Sequence, residues 1–211
     1  AARQAVRAEQ MAGTALLRVN RDGASGDGHS ARHLAQAHDN LDLSLAGLDA
    51  QEIASLVADM ASAKRLWVLG FRAGQAFARY LAWQVLQVRS DVITLPRDGE
   101  TLAESLAAIG PGDCVIVFAL RRPPRMLGHV VAELARSGGA TALIGDIAGL
   151  DGLPARWHLP CSTTGAGALF DHAGVMAICG LLASLTMEQA GAAGRARLGV
   201  IERIHDSLDE I

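Results

Sequence analysis

Several absences narrow the possibilities before any motif is considered. The longest apolar run, Ala173 to Leu185, falls short of the roughly 20 residues that a bilayer-spanning helix needs. It reads as a buried core helix. No signal peptide opens the chain. Cysteine is scarce: Cys114, Cys161 and Cys179 show neither CxxC spacing nor an even count. That argues against a disulfide framework and fits free, mostly buried thiols in a reducing cytoplasm. A strong positive balance is missing too. The net charge is −3 with a pI near 6.2, which does not suit a chain that grips phosphate backbones by itself. The first residue is Ala1, without an initiator methionine. A fragment or processed product with a segment upstream is the expectation.

What remains is an ordinary α/β composition. The 211 residues are 50% hydrophobic and 19% charged, enough for one domain plus appendages with a sizeable core. Residues Ala1 to Val19 are Ala-rich and could form a helix, although Val6, Leu16 and Leu17 make a thin apolar face. Asn20 to Ser30, rich in Gly, Ser and Asp, reads as a flexible linker. A second helical stretch from Ala31 carries His33, Leu34, His38, Leu41 and Leu45. With His29, its histidines are close together. The 33/38 spacing and the lack of a Cys or paired carboxylate argue against a metal site. Asp49-Ala-Gln-Glu52 is a capping pattern, followed by Ile53, Leu56, Val57 and Met60 on one helical face.

The organising stretch is Arg65 to Tyr80. Leu66 to Leu69 is a short apolar run ending in Gly70, and Gly74 opens a helix with Phe77, Leu81 and Val85. Strand, glycine-bounded loop and helix make an anion site, where free N–H groups and the helix dipole meet the loop. Arg72 adds a full positive charge. Further strands are expected at Val92–Leu95, stopped by Pro96, at Cys114–Leu120, at Ala140–Ile144, closed by Gly145-Asp146, and near Arg156–Leu159. Helices are expected after Asp98-Gly-Glu-Thr through Ile109, from Met126 to Gly138, over a long segment through Met187, and over about Arg197 to Leu208. This alternation implies a doubly wound five-stranded parallel sheet flanked by helices. Ligands bind such sheets beyond the carboxyl ends of the strands. Three of those ends carry Arg72, then Arg121, Arg122 and Arg125, then Ser162, Thr163 and Thr164. Guanidinium groups and hydroxyls converging there suit a phosphate or carboxylate. At least one arginine of the second group is expected merely to solvate its loop.

The order Ala63-Lys-Arg-Leu-Trp-Val-Leu-Gly-Phe-Arg-Ala-Gly74, Gly112-Asp-Cys-Val-Ile-Val-Phe-Ala-Leu-Arg-Arg-Pro123, Gly139-Ala-Thr-Ala-Leu-Ile-Gly-Asp146 and Phe170-Asp171 resembles the sugar isomerase (SIS) domain. More narrowly, it resembles the effector domain of RpiR-type bacterial transcription regulators, over roughly Asp39 to Leu185. The resemblance implies a helical connector over residues 1–46 and a ligand-binding domain over 47–211. It also implies a phosphosugar ligand, homodimers or higher homo-oligomers, and DNA contact through an upstream helix-turn-helix domain that this chain does not contain. Apolar surface on the long helix from Phe170 and on the final helix is the expected subunit contact. No membrane association, cofactor or metal is expected. SIS loops place serines at the phosphate; here Ala73, Gly74 and Ala119 stand at those positions, leaving Ser162, Thr163 and Thr164 as the hydroxyls. The expected ligand site is Gly70, Arg72, Ala73, Gly74, Ala119, Arg121, Arg122, Ser162, Thr163 and Thr164. Its ligand is then a phosphosugar or another small anionic, sugar-derived metabolite, a carboxylated or otherwise modified one included.

The alternative is a sugar-phosphate isomerase, which needs a base to move a proton between adjacent carbons. Glu100, Glu104 and His172 lie near the ligand edge, although the glutamates fit a solvated helix face and His172 fits a structural role. Nucleotide binding is weaker still. Gly70-Phe-Arg-Ala-Gly74 is not GxGxxG, and arginine stands where pyrophosphate approach wants glycine.

Overall fold

The computed structural model describes residues 26–146, 149–150, 152–167 and 169–210. The helix expected over residues 1–19 and the first part of the expected linker lie outside them. Residues 26–30, read as linker, instead begin helix α1 (Gly26–Ala46). Gly, Asp and Ser are common at helix starts as well as in linkers, so composition alone did not separate the two. Helix α2 (Ala50–Ser62) follows, capped as expected. One Asp49 carboxylate oxygen accepts the N–H groups of Gln51 and Glu52, both at 2.9 Å.

Five strands, β1 (Leu66–Gly70), β2 (Val92–Leu95), β3 (Cys114–Ala119), β4 (Ala140–Asp146) and β5 (Trp157–Cys161), form one parallel sheet in the order β2-β1-β3-β4-β5. Helix α3 (Ala73–Leu86) links β1 to β2, α4 (Leu102–Ala107) precedes β3, and α5 (Leu127–Ser137) links β3 to β4. β1 and β3 are buried along their whole length because both sheet faces are covered. Leu66, Val68, Ile116 and Phe118 face a core built with α2, α3 and the last helix. Trp67, Leu69, Val115 and Val117 face α5, together with Ile109 and partly buried Leu102 and Leu106. β4 and β5 each run two residues past their expected ends, because Gly145 pairs with Pro160 and Asp146 with Cys161. Pro160 is tolerated because β5 is an edge strand. Helix α4 stops at Ala107, short of Ile109; it is closed at its start by the Glu104 carboxylate, which accepts the Thr101 N–H at 2.7 Å.

The two helices expected at the end follow one another within one run, α6 (Ala173–Leu208), and meet at a kink where Gly191 has a non-helical backbone (φ 54°, ψ −131°). Ala-rich sequence on both sides of that glycine favours helix right up to the kink, so the break is one residue wide. Phe170 and Asp171 precede the helix rather than open it. An Asp171 carboxylate oxygen accepts the Ala173 N–H at 2.8 Å. By length and composition α6 could cross a membrane, yet one face of its first half, Val175, Ile178, Cys179 and Leu182, is built into the core. Cys114, Cys161 and Cys179 are free and buried. Burial pushes the Cys114 and Cys179 thiols up to about 12 and raises Cys161 as well, so all three are protonated and unreactive at neutral pH.

Helix α1 departs from its sequence pattern. Leu34, Leu43 and Leu45 are 56%, 58% and 42% exposed, whereas Asn40 and Ser44, one turn apart, are fully buried. The reason is how closely α6 approaches. A Cβ on Gly174 would come within 2.2 Å of the Ser44 hydroxyl and 3.0 Å of the Asn40 carbonyl. Only small side chains fit between the two helices there.

Candidate functional site

The chain leaves β1 for β2 on one side and returns to β3 on the other. The carboxyl ends of β1 and β3 therefore flank the topological switch point, where their two loops diverge and leave a crevice. Gly70 ends β1 under severe constraint. A Cβ there would lie 2.1 Å from the Gly74 carbonyl oxygen, so no other residue lets the strand turn so tightly into α3. Arg72, at the N-cap of α3, has φ 55° and ψ −124°. Arg122, on the facing loop, has φ 57°. Positive φ is costly for residues with a Cβ and tends to occur at ligand sites. The amides of Gly74 and Gln75 turn back onto the Phe71 and Arg72 carbonyls at 2.9 and 3.1 Å. The positive character of this helix start therefore rests on its dipole and on Arg72 more than on free N–H groups.

The resulting cleft encloses about 280 Å³ and is lined by Arg72, Ala73 and Gly74 from one loop and Arg121 and Arg122 from the other, with Phe170 and His172 among the residues that close it. Arg121 is anchored. Its Nε donates to an Asp146 carboxylate oxygen at 3.3 Å, and its guanidinium stacks 5.1 Å from the Phe170 ring centre. The other Asp146 oxygen accepts the Thr163 hydroxyl at 2.7 Å. The His172 ring packs 5.2 Å from that of Phe77. Burial depresses the His172 pKa below its ordinary 6.5, with the Asp171 and Asp146 charges opposing in part, so the imidazole is neutral at pH 7.

Of the residues expected at the site, Arg72, Ala73, Gly74, Arg121 and Arg122 meet in this cleft. Gly70 and Ala119 end their strands without lining it. Ser162, Thr163 and Thr164 also lie outside its lining. The Ser162 hydroxyl donates to the Asn40 side-chain oxygen at 2.8 Å, the Thr163 hydroxyl is held by Asp146, and the Thr164 carbonyl accepts the Asn40 side-chain amide at 2.7 Å. Arg125 is exposed and outside the cleft. Glu100 and Glu104 do not reach it either. Glu100 pairs with Arg97 at 3.3 Å and accepts the Ser105 hydroxyl, while Glu104 caps its own helix. Among the described residues no cluster suits a metal ion; His33 instead lies 3.9 Å from Asp171. Sequence reading missed Asp146, Phe170 and Asn40 as part of this region. For Asn40 and Ser44 a faint signal existed, two short polar residues spaced one helical turn apart.

Residues 59–149 match the family model of the SIS domain. No curated protein sequence matches the chain. The fold is similar to the sugar isomerase domain of an RpiR transcription factor from Sphaerobacter thermophilus, at 22% identity and a TM-score of 0.75 over 82% of this chain and 98% of that one. It is also similar to the Vibrio vulnificus NanR protein complexed with ManNAc-6P, at 18% identity and a TM-score of 0.70 over 87% of this chain and 70% of that one. A third similar structure is a hypothetical protein from Methanococcus jannaschii, inferred to be a 3-hexulose-6-phosphate isomerase, at 11% identity and a TM-score of 0.61 over 80% and 94% of the two chains. The family match runs through β1, β3 and β4 and so takes in the loops that form the cleft. Residues 59–149 of this chain therefore match the SIS domain, and the fold around them is similar to that of SIS-domain structures.

Proposed function

We propose that the chain is the ligand-sensing and oligomerising effector domain of an RpiR-type transcriptional regulator, and that a small anionic, sugar-derived metabolite binds in the cleft. One observation carries the reading: Arg72, Arg121 and Arg122, from two loops at the switch point, line one cleft beside the start of α3. Guanidinium groups are the donors best matched to phosphate and carboxylate oxygens. Among the described residues the cleft lining offers no serine or threonine hydroxyl. That favours a carboxylated or otherwise modified sugar anion over a standard sugar phosphate. In this reading residues 1–46 connect the ligand domain of residues 47–211 to a DNA-binding helix-turn-helix domain, the protein works in the cytoplasm, and two or more copies associate. The exposed leucines of α1 and the exposed Met187, Val200, Ile204 and Leu208 of α6 are apolar surface available for that association.

The test is a thermal-shift screen against phosphosugars, sugar acids and nucleotides, repeated on Arg72→Ala. A ligand that binds the native state raises the midpoint with concentration, and the variant should lose that rise. An unchanged rise in Arg72→Ala would remove the cleft from the account. A second reading, a sugar-phosphate isomerase, is favoured by one observation: a neutral imidazole, His172, on the cleft wall. Steady turnover of any sugar phosphate, lost in His172→Gln, would establish it in place of the sensor.

A further inference from the structure

Helix α1 is held on its buried side by polar groups, and those groups lead back to the cleft. The Ser162 amide donates to the Ser44 hydroxyl at 2.9 Å, the Ser162 hydroxyl donates to Asn40 at 2.8 Å, and Asn40 donates to the Thr164 carbonyl at 2.7 Å. Thr163, between them, donates its hydroxyl to Asp146, and Asp146 accepts from Arg121 on the cleft wall. The Thr163 carbonyl also accepts the Asp171 amide at 3.3 Å. The stretch 162–164 is thus gripped by α1 on one side and by the Asp146–Arg121 pair on the other.

We propose that occupation of the cleft by an anion is relayed to α1 through Arg121, Asp146 and Thr163. The proposal rests on the reading of the cleft as an anion site. Arg121 spends its Nε edge on Asp146 and lies over Phe170, so its outer Nη edge is the one that an anion in the cleft meets. A guanidinium bonded along both edges, and stacked on an aromatic face, is fixed in orientation. Fixing it orders Asp146, which holds Thr163, whose neighbours Ser162 and Thr164 hold Asn40 and Ser44. Each link is a directional hydrogen bond, sensitive to small displacements that a purely apolar contact would absorb. The differential free energy comes from ordering. A ligand that immobilises one end of the chain lowers the entropic cost of keeping the other end docked. Asn40 and Ser44 are positioning residues in this scheme and touch no ligand.

The test is amide hydrogen exchange of the full chain with and without saturating inorganic phosphate, and separately ManNAc-6P and the sugar acid gluconate, in wild type, Asn40→Ala and Ser44→Ala. Each protein is compared with its own ligand-free state, so that simple loosening of α1 cancels. In wild type the probe should slow exchange over Asn40 to Ala46 by at least about fivefold, the lower end of usual coupling between sites. Both variants should lose the slowing and bind the probe more weakly by no more than the same coupling factor, because coupling between sites is reciprocal. Binding to wild type without slowing of α1, or slowing that survives in both variants, overturns the relay and leaves the cleft reading standing. If none of the three probes binds wild type, the cleft reading falls and the relay falls with it.

Discussion

Helices α1 and α2 are neighbours in sequence and attach to the protein in opposite ways. α2 buries Ile53, Leu56, Val57 and Met60 against the sheet and α6, the arrangement its periodicity announces. α1 buries Asn40 and Ser44 and leaves Leu34, Leu43 and Leu45 outside. Apolar burial is non-directional and scales with area, so α2 is part of the core whatever the cleft contains. The hydrogen bonds of α1 require exact placement of residues 162–164, and those residues are fixed from the cleft side. A helix can therefore be a permanent wall or a dependent element, according to which side chains face inward.

The comparison can be broken most severely from the α2 side. Met60→Ala empties a fully buried position and should cost about 3 kcal/mol, lowering the denaturation midpoint of the whole domain. Gly174→Ala drives a Cβ into Ser44 and should cost about 2 kcal/mol. Its effect should concentrate in α1, read as faster amide exchange there than in α2. Removing the cap of α2 with Asp49→Ala should cost about 1 kcal/mol, visible in the thermal midpoint and without effect on exchange in α1. A fourth contrast is pH. His172 has a folded pKa below 6.5, so on acidification the unfolded chain takes up its proton first. Stability should decline as the pH falls below about 6.5, with His172→Gln removing that part of the slope. The smallest effect belongs to the outward leucines. Leu43→Ser should change monomer stability by no more than about 0.5 kcal/mol while weakening self-association, which sedimentation at several concentrations would measure.

The readability of the sequence follows the same division. β1, β2 and β3 were legible because continuous apolar runs bounded by Gly or Pro are what covered parallel strands require, and α2 was legible through Asp49 and its apolar face. The topology rule then brought Arg72, Arg121 and Arg122 to one crevice, because loops at a switch point adjoin whatever their separation in sequence. The inward face of α1 was not legible. Its sequence shows no apolar stripe that picks a face, and the fit of Gly174 against Ser44 decides which side packs inward. The break in α6 was legible as a gap between Met187 and Arg197, but alanine-rich sequence there did not say that Gly191 carries it. The pairing of Arg121 with Asp146 spans 25 positions and leaves no local pattern. Nor could the sequence reveal that the hydroxyls of Ser162 and Thr163 are engaged inside the protein.

The most direct test of the central claim is calorimetric titration of the chain with a panel of sugar phosphates and sugar acids, alongside Arg72→Ala and Arg121→Ala. The account predicts at least one saturable ligand bound by wild type, and affinity lost by tenfold or more, about 1.4 kcal/mol, in each variant. Affinity retained in both arginine variants would contradict it.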